Sequence, residues 1–182
     1  AEHINPRDLK DENMDDILGD GTGAGVIFGA TGGVMEAALR SAYYLLTGEN
    51  PKADSFKKVR GMNGWKEAEF DIGSTTLKVA IASGLGNARK LMDAIERNEV
   101  QYDFVEIMAC PGGCSGGGGQ PIFHNKEFAK DRAEVLYGLD ESSERRFSHE
   151  NPMIMKCYDE YLGEPLSRTA HEILHFSHNK HR

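Results

Sequence analysis

Cysteine is scarce in this sequence, tryptophan occurs once, basic residues are outnumbered, and no apolar run approaches the length of a bilayer span. Each absence excludes something. Three cysteines is an odd number; a secreted disulfide scaffold would leave one unpaired, and a chain of this length needs no staples, so reduced thiols with another purpose are expected. With 21 Lys and Arg against 29 Asp and Glu, the net charge is −8. Nucleic acid is therefore not an expected partner, because affinity for a phosphate backbone is carried by basic side chains. A transmembrane helix requires roughly 20 consecutive apolar residues, so no membrane span is expected. Residues 1–7 contain neither a basic region leading into an apolar segment nor a small-residue cleavage site. That argues against a signal peptide and for a cytoplasmic location, and the missing initiator methionine suggests a processed or excised chain.

What is present reads as ordinary globular material, 39% hydrophobic and 27% charged, long enough for one sizeable core or two lobes. Residues 1–20 are polar and acidic, with a short helical turn at 14–18 and no legible chemistry. The glycine-rich stretch 21–33 follows. It has no phosphate-binding lysine, so it is not a Walker loop, and it reads as backbone wrapping closely around another part of the protein. Strong helix formers then predict a helix over 34–46, capped by Thr31 or Gly32, with Leu39, Ala42, Tyr43 and Leu46 on its apolar face and Gly48 and Pro51 as its stop. Signals are weak over 52–74. Alternating Leu77, Val79 and Ile81 predict a strand at 76–82, the next helix covers 87–98 with Leu91, Met92 and Ile95 inward, and a second strand covers 102–108. Strand, helix, strand with short links is a βαβ unit, which pairs its strands in parallel. Beyond Pro121 the pattern is helical, over 126–137, 152–162 and 167–178. The expected fold is α/β: a parallel-sheet βαβ core with flanking helices and a helical C-terminal segment.

Chemistry concentrates in Met108-Ala-Cys-Pro-Gly-Gly-Cys-Ser-Gly-Gly-Gly-Gly-Gln-Pro121. Such a loop at the carboxyl end of a parallel strand lies where open α/β sheets place their ligands. Two thiolates four apart, in glycine-rich backbone that allows close approach, suit one soft metal centre such as an iron–sulfur cluster. A four-thiolate zinc site cannot be assembled, since Cys157 is the sole further thiol. The plain alternative is a pair of small buried residues in a tight loop. Two other patterns invite chemistry. Gly84-Leu-Gly-Asn-Ala-Arg89 follows a strand and opens a helix, with Glu106 about twenty residues on, as in a dinucleotide site, but Arg89 stands where the third glycine belongs. His171-Glu-Ile-Leu-His175 matches a zinc-peptidase helix with Glu172 as base, yet His178 lies about 10 Å from His171 along a helix at 1.5 Å per residue, too far for both to hold one ion. Such histidines more often form a helix face near its negative end. Cys157 is expected as a small core residue, and the acidic segment 140–146 as a solvated connection.

Taken together, Gly25-Val-Ile-Phe-Gly-Ala-Thr-Gly-Gly-Val-Met-Glu-Ala-Ala-Leu-Arg40 and the cysteine loop resemble the C-terminal half of the catalytic domain of iron-iron (FeFe) hydrogenases. The likeness continues through residues 84–90, 161–165 and 171–175, so it spans nearly everything from about Gly21 onward. The resemblance implies reversible interconversion of dihydrogen with protons and electrons at an H-cluster, a 4Fe-4S cubane bridged by a cysteine sulfur to a diiron dithiolate unit. By the same likeness Cys110 and Cys114 are two of the four cubane ligands, and Cys114 is the bridging one. Phe28, Gly29, Val34 and Met108 belong to the pocket around the diiron unit. An apolar wall shields reactive iron, and hydrogen bonds to the sulfurs tune its potential. In the family neither the turn at Gly84 nor the histidine helix binds nucleotide or zinc.

The departures are as informative. The family's two earlier cysteine motifs, its electron-delivering ferredoxin-like modules and its upstream carboxylate relay are missing, and Cys157 matches no ligand position. The expected partners are therefore an N-terminal half of the domain, in the same or another chain, and a ferredoxin-like electron carrier or iron–sulfur module, with dihydrogen and protons as substrates. Residues 1–182 are expected to form one C-terminal part of the catalytic domain, with 1–20 a weakly defined extension and 122–182 its helical tail. Alone, the chain is expected to be inactive. A non-catalytic sensory or scaffold module that keeps the fold is the alternative.

Overall fold

The computed structural model describes residues 5–13, 19, 21–52, 54–123 and 126–175. The turn expected at 14–18 and His178 lie outside them, as does the end of the helix expected to reach 178. In chain order the elements are α1 (Gly23–Val26), α2 (Gly33–Thr47), β1 (Trp65–Ile72), β2 (Thr75–Ser83), α3 (Leu85–Glu96), β3 (Phe104–Met108), α4 (Ala129–Ser142), α5 (Pro152–Cys157) and α6 (Arg168–Leu174), with short 3-10 turns between them and a π-helical turn, Tyr158–Leu162, continuing α5. Among the described residues the sheet has three strands in the order β1-β2-β3, with β1 antiparallel to β2 and β2 parallel to β3. The expected βαβ unit is present as β2-α3-β3.

Two apolar layers enclose this sheet, and the alternation of side chains along β2 divides them. Val79 and Ile81 face Met35, Leu39, Phe56, Val59, Phe70 and Ile72, on the side covered by α2. Ala80 and Ala82 face Ala88 and Leu91 of α3, with Trp65, Ile95, Tyr102 and Val105 packed around them. The small residues on the second face let α3 sit close to the sheet.

Several local expectations change. β1 occupies the region of weak signals: its core face carries Ala68, Phe70 and Ile72, while Glu67, Glu69 and Asp71 are exposed. It returns into β2 through a two-residue turn between Ile72 and Thr75, with Gly73 at φ +60°, a conformation that glycine adopts without penalty. Helix α4 runs through Gly138 to Ser142 and does not stop at that glycine. On α2, Leu46 is exposed, and the fully buried side chains include Glu36 and Arg40. On α3, Met92 is exposed and Ala88 and Ala94 are buried instead. Cys157 is half-buried.

The largest correction concerns the acidic segment 140–146. It is not a solvated connection, because the Asp140 side chain is completely buried and receives both terminal nitrogens of Arg40, at 2.9 and 2.8 Å. Arg146 joins the same carboxylate, Arg40 also reaches Glu36 at 2.7 Å, and Arg60 forks onto Glu36 at 2.6 and 2.8 Å. Two carboxylates and three guanidinium groups thus tie α2, the approach to β1 and the end of α4 into one network. Burial alone would push the Asp140 carboxyl up, but the hydrogen bonds from Arg40 and Arg146 prevail and hold it below the usual carboxylate range.

Candidate iron–sulfur site

The cysteine loop begins where β3 ends, and its backbone is fixed from three directions. Gly84 N–H donates to Met108 O at 2.8 Å, joining the start of the loop to the end of β2. Ser83, buried at the last position of β2, accepts Gly112 N–H at 3.0 Å through Oγ, which lies 3.5 Å from Thr31 Oγ1. Thr31 N–H in turn donates to Gly112 O at 3.2 Å. Within the loop, Cys110 O accepts Gly113 N–H, Cys114 O accepts Gly117 N–H, both at 3.0 Å, and Ser115 Oγ donates to Gly112 O.

Glycine is required at two of these positions. Gly112 and Gly113 have φ +85° and +81°, in the left-handed region, and a Cβ on Gly113 would lie 2.8 Å from Gly29 O. The 3-10 turn Ile27–Gly29 therefore packs backbone to backbone against the loop. From the other side α4 supplies Arg132, whose guanidinium donates to Ser115 O at 3.0 Å and Pro121 O at 2.9 Å, holding both ends of the glycine run. With its backbone turned inward, the loop leaves Cys110 and Cys114 exposed as free thiols.

Of the residues named from the sequence, the structure brings Gly29 and Cys114 into one open cleft of about 350 Å³, lined also by Gln120, Arg132, Val135 and Leu136. Phe28 is 46% exposed, Val34 and Met108 are half-buried, and Cys110 is exposed at the loop's opening. A larger cavity of about 420 Å³ lies between Arg60, Met62 and Tyr137. It touches the loop only at the Gly112 backbone and reaches neither thiol. Among the described residues no group of three or more His, Cys, Asp or Glu side chains converges on a point. The donor set on the loop is two soft thiols, which fits part of an iron–sulfur ligand set and completes none.

Sequence reasoning missed the side chain that joins the two halves of the site. Glu106, on β3 and 5% exposed, accepts Gly32 N–H at 2.6 Å through one oxygen and Met35 N–H at 2.7 Å through the other. Of the two residues expected to cap α2, Thr31 and Gly32, the N-cap is Gly32, which has no side chain to offer, and Glu106 supplies the carboxylate from another element. Burial raises its carboxyl above the usual range, against the two backbone N–H groups that favour the ionised form. Those contacts also occupy the carboxylate that a ribose would need. The histidine pattern resolves as plainly: His171 and His175 are exposed, their Nδ1 atoms lie 2.8 Å apart, and Glu172 is paired with Arg168 at 2.7 Å.

Comparison with known proteins agrees with this chemistry. The family model described as iron only hydrogenase large subunit, C-terminal domain, matches residues 1–118, and the one described as iron hydrogenase small subunit matches residues 126–181. The NADP-reducing hydrogenase subunit HndD of Solidesulfovibrio fructosivorans is 51% identical over 168 residues, covering 92% of this chain and 28% of that protein. Iron hydrogenase 1 of Clostridium pasteurianum is 48% identical over 177 residues, covering 94% of this chain and 31% of that protein. A solved structure of apo [FeFe]-hydrogenase HydA1 from Chlamydomonas reinhardtii, a variant, superposes with a TM-score of 0.64 at 46% identity, covering 93% of this chain and 49% of that one. More distant relatives include cytosolic iron-sulfur assembly component 3 of Bos taurus, 30% identical over 154 residues, covering 83% of this chain and 32% of that protein. The chain thus spans about a third of its curated relatives and half of a solved hydrogenase. Two thiols on a glycine-built loop, two matching hydrogenase models in tandem and a shared fold lead to one conclusion: this chain belongs to the iron-only hydrogenase family and corresponds to a C-terminal portion of its catalytic domain.

Proposed function

We propose that the chain is the part of an iron-iron hydrogenase that supplies two of the four cubane ligands of an H-cluster, Cys110 and Cys114, and part of the pocket around its diiron unit. One observation carries the reading: both thiols of the loop are exposed, and that of Cys114 opens into a cleft shared with Gly29, whose backbone packs directly against the loop. The bound group would supply reversible interconversion of dihydrogen with protons and electrons. Cys110 and Cys114 would hold the group through their thiolates, and Phe28, Gly29, Val34 and Met108 would exclude water from around its diiron unit. Ser83, Thr31 and Arg132 hold the loop so that the thiolates keep their directions, as groups behind ligands do at metal sites.

Residues 1–182 act in this reading as one part of the catalytic domain, in the cytoplasm, inactive until joined to an N-terminal half that brings the remaining ligands and the electron-carrying modules. In the complete domain, Cys114→Ala is expected to abolish retention of the diiron unit, measured as iron per protein. Cys157→Ala should leave that content unchanged. Full iron content and normal hydrogen evolution in Cys114→Ala would overturn the assignment. The similarity to an iron–sulfur assembly component favours a second reading, a scaffold that binds a cluster without turnover. Hydrogen evolution by the complete domain after loading separates the two, since a scaffold would show none.

A further inference from the structure

The two histidines of α6 are held in a geometry that nothing in the cysteine loop uses. Ser167 caps the helix by accepting Ala170 N–H at 3.1 Å, Ala170 is buried, and His175, the C-cap, donates its backbone N–H to His171 O at 3.1 Å. The backbone thus sets the two imidazoles one turn apart on one face. Both side chains are exposed, their rings stand edge to face with centroids 4.7 Å apart, and their Nδ1 atoms are separated by 2.8 Å. Two neutral imidazoles meeting in this way place one N–H against one lone pair. A metal ion in place of that proton would use both lone pairs.

The separation selects among metals. With metal–nitrogen bonds of about 2.0–2.1 Å, nitrogens 2.8 Å apart subtend about 85–90° at the ion. A tetrahedral ion needs them about 3.3 Å apart, so zinc fits only if the rings move. A right angle between neighbouring ligands belongs instead to tetragonal Cu(II) and Ni(II), and Cu(II) stands highest of the first-row divalent ions in affinity for nitrogen donors. Glu172, which would be the base of a peptidase, is committed to Arg168 at 2.7 Å. Among the described residues no third His, Cys, Asp or Glu joins the pair. We propose that His171 and His175 form a two-point surface site for a divalent metal of tetragonal preference, Cu(II) first and Ni(II) next, held through both Nδ1 atoms with water in the remaining positions. The last turn of a helix also gathers unsatisfied carbonyls, which favour a cation there. Bound metal fastens that turn, where helices fray. The site shares no residue with the cysteine loop, so it stands or falls apart from the hydrogenase reading.

The test uses the full chain carrying Cys110→Ser, Cys114→Ser and Cys157→Ala, since thiols would bind or reduce copper themselves. The unmutated chain with alkylated thiols is a second background. Titration with Cu(II) should give one ion per chain, with an axial electron paramagnetic resonance spectrum split by two imidazole nitrogens. His171→Ala and His175→Ala should each remove one nitrogen from that spectrum and weaken binding by about tenfold or more, because the second attachment is lost. His178→Ala with His181→Ala, positions outside the described residues, should change neither. Bound metal should also slow hydrogen exchange at the His175 amide. Undiminished binding in either single alanine variant overturns the proposal, and so does binding that is lost on replacing His178 and His181. Displacement of Cu(II) by an equal concentration of Zn(II), or unchanged exchange at His175, overturns it as well.

Discussion

At the scale of single residues, Glu106 has the widest reach. One carboxylate spans from β3 to two backbone N–H groups at the start of α2, and it sits four residues before Cys110. Gln at this position keeps one acceptor and turns an N–H₂ against the other donor, leaving a buried amide unsatisfied. Glu106→Gln is therefore expected to destabilise the protein by about 1–3 kcal/mol, read from the denaturant midpoint. Wild-type stability in that variant would show that the two contacts are not held in solution. No local signal marks this role. A buried acid on an apolar strand looks like a ribose ligand or an error until the partner helix, more than seventy positions away in sequence, is placed beside it. The thiols were legible because their chemistry is local: two cysteines in a glycine loop after a strand. Arg132 was not, since the carbonyls it holds become neighbours of α4 only after folding.

At the scale of elements, legibility followed periodicity. β2, α3 and β3 have clean patterns and short links, and they fold as those patterns require. β1 escaped because an edge strand with a solvated, acidic face offers few apolar positions, and its glycines read as punctuation. α4 was expected to stop at Gly138, but helix C-termini are recognised by a glycine only when the chain beyond it cannot continue. Here Leu139 and Asp140 do continue, and the burial of Asp140 outweighs the cost of a glycine within the helix. Gly138 is exposed, has helical backbone, and leaves open space where a Cβ would be. Gly138→Ala should thus stabilise the protein by about 0.5–1 kcal/mol, seen as a higher denaturant midpoint with an unchanged slope. A lower midpoint would mean that the glycine serves the neighbouring cavity and not the helix.

At the scale of the whole molecule, the buried charge network decides how stability responds to acid. The folded-state value of the Asp140 carboxyl is depressed, so the unfolded chain takes up the proton first as pH falls. The contribution of Asp140 is therefore fully present above the unfolded-state value, near 4 for an aspartate, and is lost as pH falls through the lower folded value. Unfolding followed from pH 7 to pH 2 should show that loss in the wild type, and Asp140→Asn should be less stable at pH 7 and lack this part of the acid dependence. An identical slope in both proteins would remove Asp140 as its source. None of this network was visible beforehand. Glu36 and Arg40 lie on a helix that was read by its apolar face, Asp140 and Arg146 lie in a segment read as solvated, and only the ion pair between α2 and the end of α4 joins them in the interior.

The two exposed thiols have a consequence of another kind. On the proposed assignment, half of a ligand set stands on this chain and half on another part of the protein, with no third donor among the described residues to complete it here. Ligation and docking of the two parts are then one linked equilibrium: whatever free energy the four thiolates gain from iron also holds the parts together. Occupancy of the site and integrity of the domain would rise and fall together, so that iron availability sets the lifetime of the assembled domain as well as its loading.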